Sequence, residues 1–228
     1  MSGSPPAGRA MHYSTDPLRV LVSGGATGVG LACAEAFAAR GAELVLTDHD
    51  GTGLTRAAER LDARSRFCDS ISEASVAIVA ADIAEEFPSL DVLINAAGTA
   101  YVRTLAMTRM TRALLPVLRR GGGARFVINI APAGGFRAAD EMFPYASSIE
   151  AFDRLSEALE EQTRGTSISV LRVSPTIVRG PSRSAAVVNR LYELEHVDEL
   201  DTAERIVDLV SAGRPEWRHR SPPVIRRA

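Results

Sequence analysis

Two short stretches carry residues whose types and spacing could do chemistry. "FPYASSIEAF", Phe143 to Phe152, sets Tyr145 at the head of a helical pattern, and "SGGATGVG", Ser23 to Gly30, is a glycine-rich turn. A free phenol has a pKa near ~10, so ionising it at neutral pH costs roughly 4 kcal/mol unless a cation stands close. Residues at i and i+4 share a helix face, and four residues beyond Tyr145 stands Ile149. Branched alkyl surface stabilises no phenolate. No lysine can reach in from elsewhere, because all 26 basic residues are arginine. Tyr145 is either the acid of a reaction centre without cationic support or an aromatic packed at a helix entrance.

The glycine stretch joins an apolar run to a helical one. Gly24, Gly28 and Gly30 stand where a backbone turns tightly and approaches a ligand closely. The helix that follows presents free N–H groups suited to a pyrophosphate. The next apolar run ends in Asp48, whose carboxylate can accept both hydroxyls of an adenosine ribose and repels a 2′-phosphate. With no arginine in the loop to receive that phosphate, the cofactor implied is NAD rather than NADP. The competing reading is that Asp48 and the glycines only make turns.

Holding these groups requires a sheet, and apolar runs alternate with helical stretches from Leu18 onward. "LRVLVSGG", "AELVLTD", "SRFCD", "LDVLINAAG", "ARFVINIA" and "SISVLRVSP" read as six strands. Between them lie helices, among them one stopping at Gly41, one ending before Pro88 and a long amphipathic one from Tyr145 to Gly165. A last helix is expected over "DTAERIVDLVSAG", with Asp201 or Thr202 as N-cap and Gly213 past its end. "PPVIR" reads as a short final strand. This alternation predicts an α/β fold, a Rossmann-type doubly wound parallel sheet in a single domain over 18–228. Residues 1–17 read as a flexible N-terminal tail.

Composition narrows the partners. A formal charge of -2 and an isoelectric point near 6.1 give no general attraction to nucleic acid or anionic membrane. No apolar run reaches spanning length, so a cytoplasmic protein is expected. Cys33 and Cys68 lack metal-ligand spacing and read as lone buried thiols. Met107 and Met110 read as core. "RPEWRHR" reads as a solvated run, and His196 as a solvated loop residue.

The motifs together resemble the short-chain dehydrogenase/reductase superfamily from about Leu18 to the end. "SGGATGVG" is similar to its TGxxxGxG loop, with Ser23 for threonine, and "NAAG", Asn95 to Gly98, to its NNAG motif. "CD", Cys68–Asp69, falls where the family sets an aspartate beside the adenine. "RVSPT", Arg172 to Thr176, resembles its segment ending in Pro-Gly. By this resemblance Ser23, Gly24, Gly28, Val29, Gly30, Asp48, Asp69, Asn95, Ala96 and Gly98 line an NAD cofactor. Asn95 has a second reading, holding neighbouring strands by hydrogen bonds.

The resemblance also implies a catalytic set of serine, tyrosine, lysine and asparagine. Tyr145 occupies the tyrosine position, but Ile149 stands at the lysine. The serine falls at Ala131–Pro132, neither of which has a hydroxyl. Aligning back from "LLP" sets Arg103 near the asparagine. Arg103, Arg137 and Arg179 are the arginines that could lend the missing charge. The helix after Gly98 is shorter than the family's, which implies that any homo-oligomer interface formed there is altered.

Three functions follow. The first is an NAD(H)-binding relative of oxidoreductase ancestry with weak or no standard alcohol/ketone activity, serving as a sensor, partner subunit or scaffold. The second is an active NAD-dependent oxidoreductase in which neutral Tyr145 donates the proton. The third is a non-redox enzyme on the same scaffold. A small molecule is the expected partner if any is bound. Val187, Val188, Leu191, Tyr192 and Leu194, between Thr176 and Leu200, read as the inner face of a lid or as a helix packed on the body.

Overall fold

The computed structural model describes residues 17–98, 102–131, 142–173 and 199–213, apart from the side chains of 142–147 and 149. Along the chain run β1 (Arg19–Ser23), α1 (Gly28–Ala38), β2 (Glu43–Asp48), α2 (Gly51–Leu61), β3 (Arg64–Phe67) and α3 (Glu73–Glu86). There follow β4 (Val92–Asn95), α4 (Arg103–Arg119), β5 (Arg125–Ile130), α5 (Met142–Thr163), β6 (Ile168–Val173) and α6 (Glu199–Gly213). The strands form one six-stranded sheet in the order β3-β2-β1-β4-β5-β6, every pair parallel. This is the single-domain, Rossmann-type doubly wound α/β fold expected.

The strands are continuous apolar runs because both faces of the sheet are covered. Val20 and Val22 of β1 join α1, α2 and α6 in one core, while Leu21 between them faces α3 and α4 in the other. Met110 is fully buried in that second core and Met107 is buried beside Ala131 and Phe152. Cys33 and Cys68 are both buried and free. Burial pushes the Cys33 thiol up to about 12, so it is inert as a nucleophile. No helix among the described residues is long and apolar enough to cross a membrane.

Register aligns the strand ends that matter. Ser23 pairs with Thr47 on one side and Asn95 on the other, and Asn95 pairs with Asn129. The chain reverses its order of strand addition between β1 and β4, so a crevice opens at their carboxyl ends. Beneath it lies a buried polar chain. Asn95 Nδ2 donates to Thr111 Oγ1 and Asn129 Oδ1, each at 2.9 Å, and Asn129 Nδ2 donates to Ser156 Oγ at 3.2 Å. Four elements (β4, α4, β5 and α5) are thereby tied together.

Several boundaries differ from expectation. α6 begins at Glu199, so Asp201 and Thr202 lie inside it rather than capping it, and Gly213 is its last residue. Thr202 is buried with its hydroxyl unpartnered, because the helix turns Thr202, Ala203, Ile206 and Val207 inward. Burial of that face outweighed the capping tendency of a Ser/Thr/Asp cluster. Glu199 and Leu200, expected to end the lid segment, instead open this helix. The rest of that segment, the tail over 1–16, the strand "PPVIR", His196, Arg137 and Arg179 lie outside the described residues. α1 ends at Ala38, and Gly41 (φ 77°) closes the turn beyond it.

Candidate functional site

The crevice is an open cleft of about 340 Å³ at the carboxyl ends of β1, β2, β4 and β5. Ser23, Gly24, Gly28, Val29 and Gly30 form one wall. Gly24 (φ 86°) packs so tightly that a Cβ there would meet Ala97 N at 2.5 Å. A Cβ on Gly30 would meet Gly24 O at 2.0 Å. These two glycines let the turn fold against itself and against the residues after β4. Gly28 differs: its φ is 58°, and among the described residues only Glu199 Oε1, at 4.0 Å, lies near where a Cβ would be. That side of the turn faces the cleft.

Among α1 to α4, capping separates the helices that open here from those that do not. α2 and α3 satisfy their first turns internally, Asp50 accepting from Gly53 N at 3.0 Å and Ser72 from Ser75 N at 3.3 Å. α1 has no side-chain cap from Thr27, and α4 none from Val102. Both uncapped helices start at the cleft. The first amides of α1 therefore lack intrahelical acceptors and carry the positive end of its dipole toward the cleft.

Asp48 closes the opposite rim. Its Oδ2 accepts from Ala26 N at 3.1 Å and its Oδ1 from Asp50 N at 3.1 Å, with His49 Nδ1 also 3.1 Å from Oδ1. A carboxylate has about four lone-pair sites, so capacity remains for further donors. Ala96, Ala97 and Gly98 line the cleft floor, and Gly98 (φ 94°) sits against the start of α4.

Two expected residues are turned elsewhere. Asn95 gives its side chain to the buried chain through Thr111 and Asn129, which is its strand-holding reading. Asp69 accepts from Ile71 N at 3.1 Å in its own turn, while its neighbours Cys68 and Ser70 reach the cleft. Tyr145 lies in α5, two helical turns before Phe152, and its side chain, like that of Ile149, is outside the described residues. Ile130 and Ala131 end the cleft at β5, and Ala131 brings only a methyl group.

Arg103 and Glu199 complete the lining. Arg103 Nη1 donates to Ile130 O at 3.4 Å, and burial pulls its guanidinium down from its ordinary value to about 10. It remains protonated at neutral pH. Glu199 was not anticipated, since it comes from the last helix and no local motif marks it. Among the described residues no cluster of three His, Cys, Asp or Glu side chains could hold a metal.

A family model described as short chain dehydrogenase matches residues 19–190. The chain belongs to the short-chain dehydrogenase family. Within that family it is 31% identical over 230 residues to the rhamnolipids biosynthesis 3-oxoacyl-[acyl-carrier-protein] reductase of Pseudomonas aeruginosa, covering 90% of this chain and 87% of that one. Two solved short-chain dehydrogenase folds resemble it closely. The 3-ketoacyl-(acyl-carrier-protein) reductase of Brucella melitensis complexed with NADH superposes with a TM-score of 0.73 at 22% identity, over 88% of this chain and 93% of that one. A metagenomic short-chain oxidoreductase in complex with NADP gives 0.66 at 22%, over 85% and 90%. Those two neighbours hold NADH and NADP respectively, and their likeness to this chain is one of fold.

Proposed function

We propose that this chain binds NAD(H) and turns over ordinary alcohols and ketones weakly or not at all. The observation that carries the proposal is a single cleft running from Asp48, past the uncapped start of α1, to the bare methyl of Ala131. The residues present fit a dinucleotide. Among the described residues no acceptor is met by the amides of Gly28, Val29 and Gly30, which suits a pyrophosphate, and Gly28 leaves open space beside them. Asp48 retains acceptor capacity for ribose hydroxyls and, as an anion buried to 9% exposure, disfavours a 2′-phosphate. Thr47, at the end of β2, lines the same rim.

When bound, the nicotinamide supplies or accepts hydride. Ala131 can neither donate a proton nor stabilise an oxyanion at the end of β5, and Ile149 offers no charge to Tyr145. Glu199, beside Gly28, works against a pyrophosphate by like-charge repulsion.

A second reading keeps Tyr145 as proton donor in an active oxidoreductase. It is favoured by the placement of position 145 two turns before Phe152, which packs on Ala131 at the cleft. Calorimetric titration with NADH and NADPH, followed by a carbonyl panel monitored at the nicotinamide absorbance, tests both. We expect NADH to bind at least tenfold more tightly than NADPH, with negligible turnover of neutral carbonyls. No binding of either nucleotide would end the first reading. Turnover that disappears in Tyr145→Phe would establish the second.

A further inference from the structure

Among the described arginines, Arg103 is lowered in pKa by burial and has no carboxylate partner. Arg125, which is also dehydrated, faces Asp91 at 3.2 Å, and the partly buried Arg40 and the exposed Arg64 and Arg172 all face carboxylates. Arg103 has no ion-pair partner among the described residues. Its Nε is buried with no hydrogen-bond partner, and its Nη1 contact to Ile130 O, at 3.4 Å, is long. Burial accounts for the lowering of its pKa, and no carboxylate among the described residues opposes it. An uncompensated cation held partly out of water is costly. This one lines the cleft, where a ligand can compensate it.

Its place in the cleft separates it from the pyrophosphate site. Arg103 lies over the end of β5, and β4 intervenes between β5 and β1, which carries the glycine turn. Neighbouring strands are ~4.8 Å apart, so the two sites are roughly 10 Å from each other. The amides of α1 serve one anion, and the guanidinium is left for a second. Among the described residues that line the cleft there, Ile130 and Ala131 offer no charge and no side-chain donor. A planar guanidinium with several free N–H groups matches a carboxylate bidentately.

We infer that the ligand held beside the cofactor carries a carboxylate and that Arg103 binds it. Calling the neighbour a cofactor rests on the reading under Proposed function; the carboxylate site does not.

The test is calorimetric titration of the full chain with pyruvate, 3-oxobutyrate and phenylpyruvate, each against its methyl ester, with and without NADH. Wild type is compared with Arg103→Met and Arg103→Lys. At least one acid should bind wild type about tenfold more tightly than its ester. Arg103→Met should bring that acid down to its ester while NADH affinity changes by less than about threefold, and Arg103→Lys should recover part of the loss. The inference is overturned if no acid outbinds its ester, or if Arg103→Met leaves the acid's affinity intact. It is also overturned if that variant loses NADH as severely as the acid, which would assign the arginine to the cofactor. Failure of wild type to bind NADH would instead sink the dinucleotide reading, and the titrations without NADH would still report on Arg103.

Discussion

Asp48 at the end of β2 accepts the amide of Ala26 at 3.1 Å, so the carboxylate that faces the cleft also anchors the glycine turn. Removing it acts twice. Asp48→Ala should weaken NADH binding by about 10- to 100-fold and lower the NADH-to-NADPH preference. Nucleotide fluorescence titrations measure both, and an unchanged preference would show that Asp48 plays no part in reading the ribose.

Gly30 and Gly28 should respond differently to alanine. At Gly30 the new Cβ would lie 2.0 Å from Gly24 O, a backbone atom that cannot move without opening the turn. Gly30→Ala should destabilise the protein by more than about 2 kcal/mol. At Gly28 there is space, and the cost is a left-handed backbone at φ 58°, about 1–2 kcal/mol. Urea melts of the two variants rank them; equal losses would contradict the packing described.

Glu199 sits opposite Gly28 across the cleft wall. Glu199→Gln removes a negative charge from beside the pyrophosphate amides. NADH affinity should rise by about two- to fivefold at low salt, and the gain should shrink as salt screens the charge. A salt-independent change, or a loss of affinity, would mean that the carboxylate does not face the bound nucleotide.

Asn129 is the middle of the buried polar chain, accepting from Asn95 and donating to Ser156. Asn129→Ala takes from Asn95 Nδ2 one of its two acceptors and from Ser156 Oγ the Asn129 donor, in a dry interior. The expected loss is about 2–3 kcal/mol, read by urea unfolding, with Asn95→Ala less than additive on top of it. A loss below about 0.5 kcal/mol would indicate that water replaces the missing amide.

Arg103 is held at a cost, so its removal should stabilise the unliganded protein. Arg103→Met should raise the melting temperature by roughly 2–4 °C, equivalent to about 1 kcal/mol for a chain of this size. The sign follows from the direction of its shift: burial lowers the pKa to about 10, meaning that the folded state disfavours the charged form present at pH 7. The penalty is fully present at neutral pH and fades only above that value, toward the ordinary guanidinium range. Thermal melts at pH 7 check the sign, and a destabilised variant would show that the guanidinium is held by contacts rather than tolerated.

The glycine turn, Asp48 and the order of strands and helices could be read from the amino-acid sequence because each depends on neighbours in the chain. A strand, a tight turn and a helix start lie within a dozen residues of one another, and a carboxylate at the end of the next strand is placed by the same local geometry. That Ala131 brings no hydroxyl and Ile149 no charge is a matter of residue type alone. What only the tertiary structure decided is where distant side chains spend their polar groups. Asn95 could have turned to the cleft or to its neighbouring strands, and Thr111 and Asn129, reaching it from α4 and β5, draw it inward. Glu199 enters the cleft because α6 packs on the same face of the sheet as α1, a contact between residues far apart in the chain. Among the described residues Arg103 meets no counter-ion, and composition alone cannot say which charges will meet.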